Sequence, residues 1–209
     1  MTDETRALLE ISSALAGGSA GRLDAALRSA IGVAEQTAVE EALLQSYLFL
    51  GYPAALRGLA AWRRVSELPA LGEPARDSDR WERRGAEICA QVYGGQYERL
   101  RANISALHPD MERWMVVEGY GKVLGRPGLG LAERELCIVA LLASQDAGPQ
   151  IYSHLRGALN AGAEEADVDE AVRRLLGSLP PERSRMLAEQ WNAVRARRAA
   201  ANQAATQKD

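Results

Sequence analysis

The chain has 209 residues, 47% hydrophobic and 25% charged, with a formal net charge of -3, an ordinary globular balance that excludes whole-chain disorder and offers nucleic acid no basic field. No apolar run reaches about 18 residues uninterrupted and the N-terminal MTDETRALLEI is acidic, so neither a membrane span nor a signal peptide is expected. Two cysteines, Cys89 and Cys137, and two histidines are too few for a disulfide framework or a zinc site, and a cytoplasmic location is the expectation.

Apolar residues recur at three and four spacings throughout, so the chain reads as all-α. A first helix is expected over 5–16, ended by Gly17 and Gly18, and a second over 22–31, ended near Gly32. Thr37 and Glu40 have the spacing of a capping box, opening a third helix through Leu50. Gly51-Tyr52-Pro53 breaks the chain before a fourth helix that carries Leu56, Leu59, Ala60 and Trp62. The polar stretch LPALGEPARDSD, with two prolines, marks an internal boundary. Beyond it, helices are expected over 78–93, 96–107 and 109–124, with Pro109 in a first turn. The loop GRPGLG leads to four more, over 132–144, 149–161, 166–176 and 181–201, and 202–209 read as a frayed tail.

The two halves correspond. Arg6, Leu8, Leu27, Arg28 and Ala30 fall on Arg134, Leu136, Leu155, Arg156 and Ala158 at one offset, 128, as from 6 to 134 and from 28 to 156. One inserted residue (offset 129) brings Val39, Glu41, Ala42, Trp62 and Val65 onto Val168, Glu170, Ala171, Trp191 and Val194. Unless two Ala/Leu/Arg-rich segments match by composition alone, this implies two tandem helical repeats sharing a core about a pseudo-twofold axis. The first, degenerate, spans 1–67; a connection follows over 68–80, the second repeat over 81–201, and the tail over 202–209.

The segment ELCIVALLASQDAGPQIYSHLRGALNAGAEEADVDEAV resembles the core hairpin of the carboxymuconolactone decarboxylase family, a Glu-bearing apolar helix, a turn, then a helix with HxRxAxxxG, here His154, Arg156, Ala158 and Gly162. EGYGKVLGRPGL is similar to the stretch that precedes this hairpin in the decarboxylase branch, with Glu118, Gly121, Arg126, Pro127, Gly128 and Leu129 matching. EEALLQSYLFLGYPAALRGLAAW in the first half is similar to another recurrent stretch of the family. The resemblance implies an alkylhydroperoxidase D-like helical bundle and a homo-oligomer; with no metal cluster, phosphate loop or dinucleotide fingerprint in the sequence, no cofactor is expected. It departs from the peroxidase branch at one point that matters. The two cysteines of that branch's CxxCxxxH would fall seven and four residues before His154, where Ala147 and Gln150 stand. Without an attacking and a resolving thiol, thiol peroxidase activity is disfavoured.

Decarboxylation needs an anchor for a carboxylate, an electron sink and a proton relay. His154 is the candidate relay, weighed against an ordinary satisfied histidine. Glu135 shares a helix face with Ile138 and Leu142, as a general acid against apolar surface would, or is simply a favourable first-turn acid. Glu118 precedes Lys122 by four residues, the order of a surface ion pair, yet Gly119 and Gly121 weaken the same helix, which a close ligand or backbone would explain. Arg126 and Arg156 are candidate carboxylate clamps, or, for Arg156, a structural ion-pair residue like Arg28. Cys137 reads as a buried inert thiol, and the tyrosines and tryptophans as core and subunit interface.

Two readings result. One is a lyase of the carboxymuconolactone decarboxylase type, gathering Glu118, Glu135 and His154 around a small carboxylated or lactone substrate; the other is a non-catalytic helical oligomer that binds a small ligand or acts as a scaffold. They separate on geometry: His154 within hydrogen-bonding reach of Glu118 or Glu135 beside a cavity favours the first. No nucleic acid, membrane or metal partner is expected, and the greasy helices EEALLQSYLFL and ELCIVALLA suggest a homo-oligomer.

Overall fold

The computed structural model describes residues 1–72 and 78–206, and no strand occurs among them. The elements are α1 (Asp3–Gly17), α2 (Ala20–Ala30), α3 (Gln36–Gln45), α4 (Tyr47–Ser66), α5 (Ser78–Tyr93), α6 (Tyr97–Leu107), α7 (Pro109–Trp114), a π-helix (Met115–Leu124), α8 (Leu131–Leu142), α9 (Gly148–Asn160), α10 (Glu165–Leu176) and α11 (Pro181–Thr206). Thr2 and Ser19 cap α1 and α2, each side chain accepting a backbone N–H three residues on. No helix is long and apolar enough to cross a membrane among the described residues.

Several expectations need correction. Thr37 and Glu40 do not form a capping box: α3 opens after Glu35, and the Glu40 carboxylate instead pairs with Arg63 and accepts from Gln36 and the Leu71 backbone. The third helix stops at Gln45 because the Ser46 hydroxyl turns back on the Leu43 carbonyl (2.6 Å), and α4 begins at once. The Gly51 break is a kink inside α4, with φ 77°, a left-handed value that favours glycine. The helix expected over 109–124 becomes a π-helix from Met115. Residues 202–206 continue α11 rather than fraying, while 207–209, and 73–77 of the connection, lie outside the described residues.

Two apolar cores meet at α1 and α8. Leu8, Ile11, Leu27, Leu43 and Trp62 fill one; Leu136, Ile151, Leu155, Leu187 and Trp191 fill the other. Each helix lends a residue to the opposite core: Leu9 of α1 joins the second, and Cys137 of α8 joins the first, a pair again 128 apart. The ion pairs cross in the same way. Arg134 binds Glu41 (2.9 Å) and Arg6 binds Glu170 (2.8 Å), so each half's Arg holds the other half's Glu. Helix starts obey the offsets too, α8, α9 and α10 beginning 128, 128 and 129 residues after α1, α2 and α3. The helix starts and the crossed contacts thus follow the offsets read between the two halves of the sequence. Every residue of α8 from Arg134 to Leu142 is buried within the chain, so its greasiness needs no second subunit.

Candidate functional site

The site is centred on a cavity of about 300 Å³ lined by both halves of the chain. The short stretch of α4 between Ser46 and the Gly51 kink brings Leu48 and Phe49 to one side. The π-helix brings Met115, Glu118, Gly119 and Tyr120 to another, and α9 contributes His154. π-Helical turns often mark functional positions, since the extra residue re-aims side chains. Here glycine also fixes how that helix sits. A Cβ on Gly121 would run into the Trp81 carbonyl of α5, and one on Gly85 of α5 into the Val116 carbonyl, so the two backbones pack directly on each other. Backbone approach thus explains Gly121, whereas Gly119 faces the cavity.

His154 is 6% exposed, and its Nδ1 lies 2.8 Å from Oε2 of Glu135, itself fully buried on α8. With Nδ1 engaged, Nε2 is the ring nitrogen left for a ligand. The Phe49 ring meets the imidazole edge-on at 5.6 Å, fixing its plane. Oε1 of Glu135 is buried without a hydrogen-bond partner among the described residues, so the carboxylate's only polar contact is the imidazole. A side chain at Gly157 would collide with that carboxylate, which is why α9 approaches α8 so closely here. The geometric test set by the sequence is met: His154 reaches Glu135 beside a cavity.

Glu118 lines the same cavity from its rim, accepting from the Tyr47 hydroxyl (2.9 Å) and facing Lys122 at 3.6 Å. The surface pair read from the sequence is present, and the cavity position with it. Tyr120 donates to the Tyr93 hydroxyl at 3.3 Å, and both rings line the cavity. Burial pushes both phenols above their ordinary range, so they stay protonated and act as donors. The sequence reading placed these tyrosines, and Tyr47, in core and interface; no local motif distinguishes a buried phenol that lines a cavity from one that packs.

The two arginines are not brought to this cavity. Arg126 is held by Glu41 (2.9 and 3.1 Å) beside Arg134, and Arg156 lies over the Tyr152 ring, on a separate concavity with Arg197 and Arg198. The reason is the cross-half ion pair: Glu41 must neutralise Arg134, which is fully buried, and Arg126 joins that network. Cys89 and Cys137 are buried away from solvent, and burial pushes each thiol up to about 12.

Comparison with known proteins places this geometry in context. Residues 109–176 match the profile of the carboxymuconolactone decarboxylase family. The chain is 31% identical over 137 residues to peroxisomal protein 2 of Schizosaccharomyces pombe, covering 64% of each protein. It is 36% identical over 85 residues to peroxisomal protein 2 of Saccharomyces cerevisiae, covering 40% of this chain and 30% of that one. Similarity to nitrosuccinic acid decarboxylase npaB of Metarhizium robertsii is 33% over 91 residues, 42% of this chain and 62% of that protein. The chain therefore spans less than two thirds of the length of these relatives.

Proposed function

We propose, for a chain whose residues 109–176 match the carboxymuconolactone decarboxylase family, that it is a decarboxylase-type lyase acting on a small carboxylated molecule by proton transfer at His154. The observation that carries this is the buried Glu135–His154 pair at 2.8 Å, set against a cavity that also holds Glu118 and two phenol donors. A scaffold would have no use for a carboxylate buried with only an imidazole to pair it. The decarboxylase relative supports the same class.

In this scheme the substrate's carboxylate leaves as CO2, and the electron pair of the broken C–C bond passes to a conjugated oxygen on the substrate. The Tyr93 hydroxyl, oriented by Tyr120, donates to that oxygen. His154 in its protonated form then delivers the Nε2 proton to the carbon and regains one from water, while Glu135 holds the ring's orientation and balances its charge. Arg126 and Arg156 take no part, and no cofactor is invoked. The site is proposed to act in a homo-oligomer in the cytoplasm, with no nucleic acid or membrane partner. The test is CO2 release from a panel of activated carboxylic acids by wild type and His154→Ala. Activity lost with His154 supports the scheme; equal rates remove the residue from it.

A further inference from the structure

Away from the His154 cavity, Arg156 of α9 and Arg197 and Arg198 of α11 line a concavity of about 200 Å³ together with Leu159 and Val194, and no acidic side chain lines it among the described residues. Elsewhere the arginines find carboxylates: Arg6 and Arg174 hold Glu170, Arg63 holds Glu40, and Arg134 holds Glu41. Arg195, one turn before Arg198 on the same helix, takes Glu165 and Asp169, each at 3.7 Å. Acids outnumber Lys and Arg in the whole chain, 28 to 25, so the charge balance does not leave these three short of partners. Yet among the described residues none of the three makes an ion pair; Arg156 instead lies 6.0 Å from the Tyr152 ring, and Asn160 on the rim is pinned to the Val92 carbonyl at 2.8 Å. Three like charges facing one concavity repel, and a multiply charged anion between them reverses that cost. A guanidinium stays charged at any pH at which the chain is folded, so this field does not depend on a titrating group. A lone carboxylate would neutralise one arginine of the three. A phosphate or diphosphate group brings two or more charges and several oxygens, which guanidinium forks take by parallel hydrogen bonds. The volume agrees, since it is below the roughly 300–1,000 Å³ of sites that enclose a whole organic ligand and leaves room for an anionic group.

We propose that this concavity is a second binding site, for the phosphate or diphosphate group of a ligand, held by Arg156, Arg197 and Arg198. It is separate from the His154 cavity. Residues two apart on a helix project to nearly opposite faces, so α9 presents His154 to one site and Arg156 to the other.

Calorimetric titration of the full chain with inorganic pyrophosphate tests it, at about 0.15 M salt, where unscreened fields reach only about 8 Å. The expected result is saturable binding of one pyrophosphate per chain, with acetate and citrate each at least tenfold weaker. Arg156→Gln and the double variant Arg197→Gln/Arg198→Gln should each weaken pyrophosphate at least fivefold with an unchanged circular dichroism spectrum, since Arg197 and Arg198 are exposed and Arg156 is half-buried. Arg28→Gln, which removes the same charge from the exposed side of α2, and His154→Ala should leave binding within twofold. The absence of saturable heat in a folded sample overturns the proposal. So does acetate or citrate binding as tightly as pyrophosphate, or equal weakening by Arg28→Gln, which would make the effect one of net charge. Binding lost in His154→Ala overturns it too, by placing the anion in the other cavity. Sedimentation with phosphatidylcholine vesicles that carry phosphatidic acid then assigns the source of the group: co-sedimentation that the arginine variants lose makes it a lipid headgroup, and pyrophosphate binding without co-sedimentation makes it part of a soluble molecule.

Discussion

Glu135→Gln isolates the charge behind the imidazole. The substitution keeps the shape of a fully buried side chain and the 2.8 Å contact to His154 Nδ1, but removes the negative charge that balances a protonated ring. A hydrogen bond to a charged group contributes about 1.5–3 kcal/mol, and a charge pair at about 4 Å in an effective dielectric of about 20 about 4 kcal/mol. Taking about 3 kcal/mol as the loss where the ring must carry its proton, kcat falls about 100-fold at about 1.4 kcal/mol per decade. Stability should move little, within about 1 kcal/mol, because a buried charge is removed along with its pairing and Oε1 had no partner to lose. Three measurements go together: kcat on the acid found by the CO2 panel, urea midpoints, and nitrogen NMR of the His154 ring. With Glu135 in place the neutral ring carries its proton on Nδ1; with Gln, whose amide can accept or donate, the two tautomers should mix. A variant whose tautomer shifts while kcat stays within threefold of wild type would refute the dyad as proton carrier.

Other substitutions read the frame around it. Arg134→Ala removes a fully buried guanidinium bound to Glu41, Gln45 and the Leu129 and Arg126 carbonyls, and should lower unfolding free energy by at least about 2 kcal/mol in urea titrations, since the acceptors it served lose their buried donor and Glu41 keeps Arg126 alone. Its counterpart Arg6→Ala, at a pair that solvent reaches, should be clearly milder in the same titration. That outer pair also sets an acid limb: hydrogen bonds from Arg6 and Arg174 pull the Glu170 carboxyl down to about 2 from 4.5, so its stabilisation is complete above pH 4.5 and lost as pH falls toward 2. Calorimetry should accordingly show the Tm deficit of Glu170→Gln shrinking over that range. Gly121→Ala forces a methyl group into the Trp81 carbonyl and should destabilise by at least about 2 kcal/mol, with a matching loss of ligand binding as the π-helix moves. Both thiols, buried and with burial pushing them up to about 12, should stay unreactive to Ellman's reagent until the chain unfolds, and the native protein should turn over no peroxide.

Helix content and order were legible because periodicity and glycine punctuation act locally, and the bounds of α8, α9 and α10 follow from them within a few residues. The failures have nonlocal causes. Glu40 looked like half of a capping box, but Arg63, 23 residues away, outbid the local backbone for its carboxylate. The π-helix depends on two backbones touching at Gly85 and Gly121, a contact between elements 36 positions apart that no periodicity encodes. His154, Glu135 and Glu118 were found through motif and resemblance, and their pairing was not: only the packing of α9 on α8, which Gly157 permits, turns a 19-residue separation into 2.8 Å. Arg126 and Arg156 were misplaced because residue type suits an arginine to a carboxylate anywhere, and a buried Arg134–Glu41 network was nearer than a ligand.

The offset of 128 between the two halves also bears on why the chain holds one such dyad rather than two. Shifted back by 128, His154 and Glu135 land on Ala26 and Ala7, so the first half carries neither the relay nor its carboxylate. Ala26 is buried against Leu23 and Leu27 in the first core, where an imidazole would have no polar partner. What that half supplies instead is the wall: Tyr47 holds Glu118, Phe49 sets the imidazole plane, and Gln145 of the second half binds the Phe49 carbonyl at 3.0 Å to keep the strip in place. A first half freed from making a second dyad is a first half able to shape the remaining one. The division of labour follows from the crossed contacts, since α1 and α8 lend residues to each other's cores and neither half can present its share of the cavity alone.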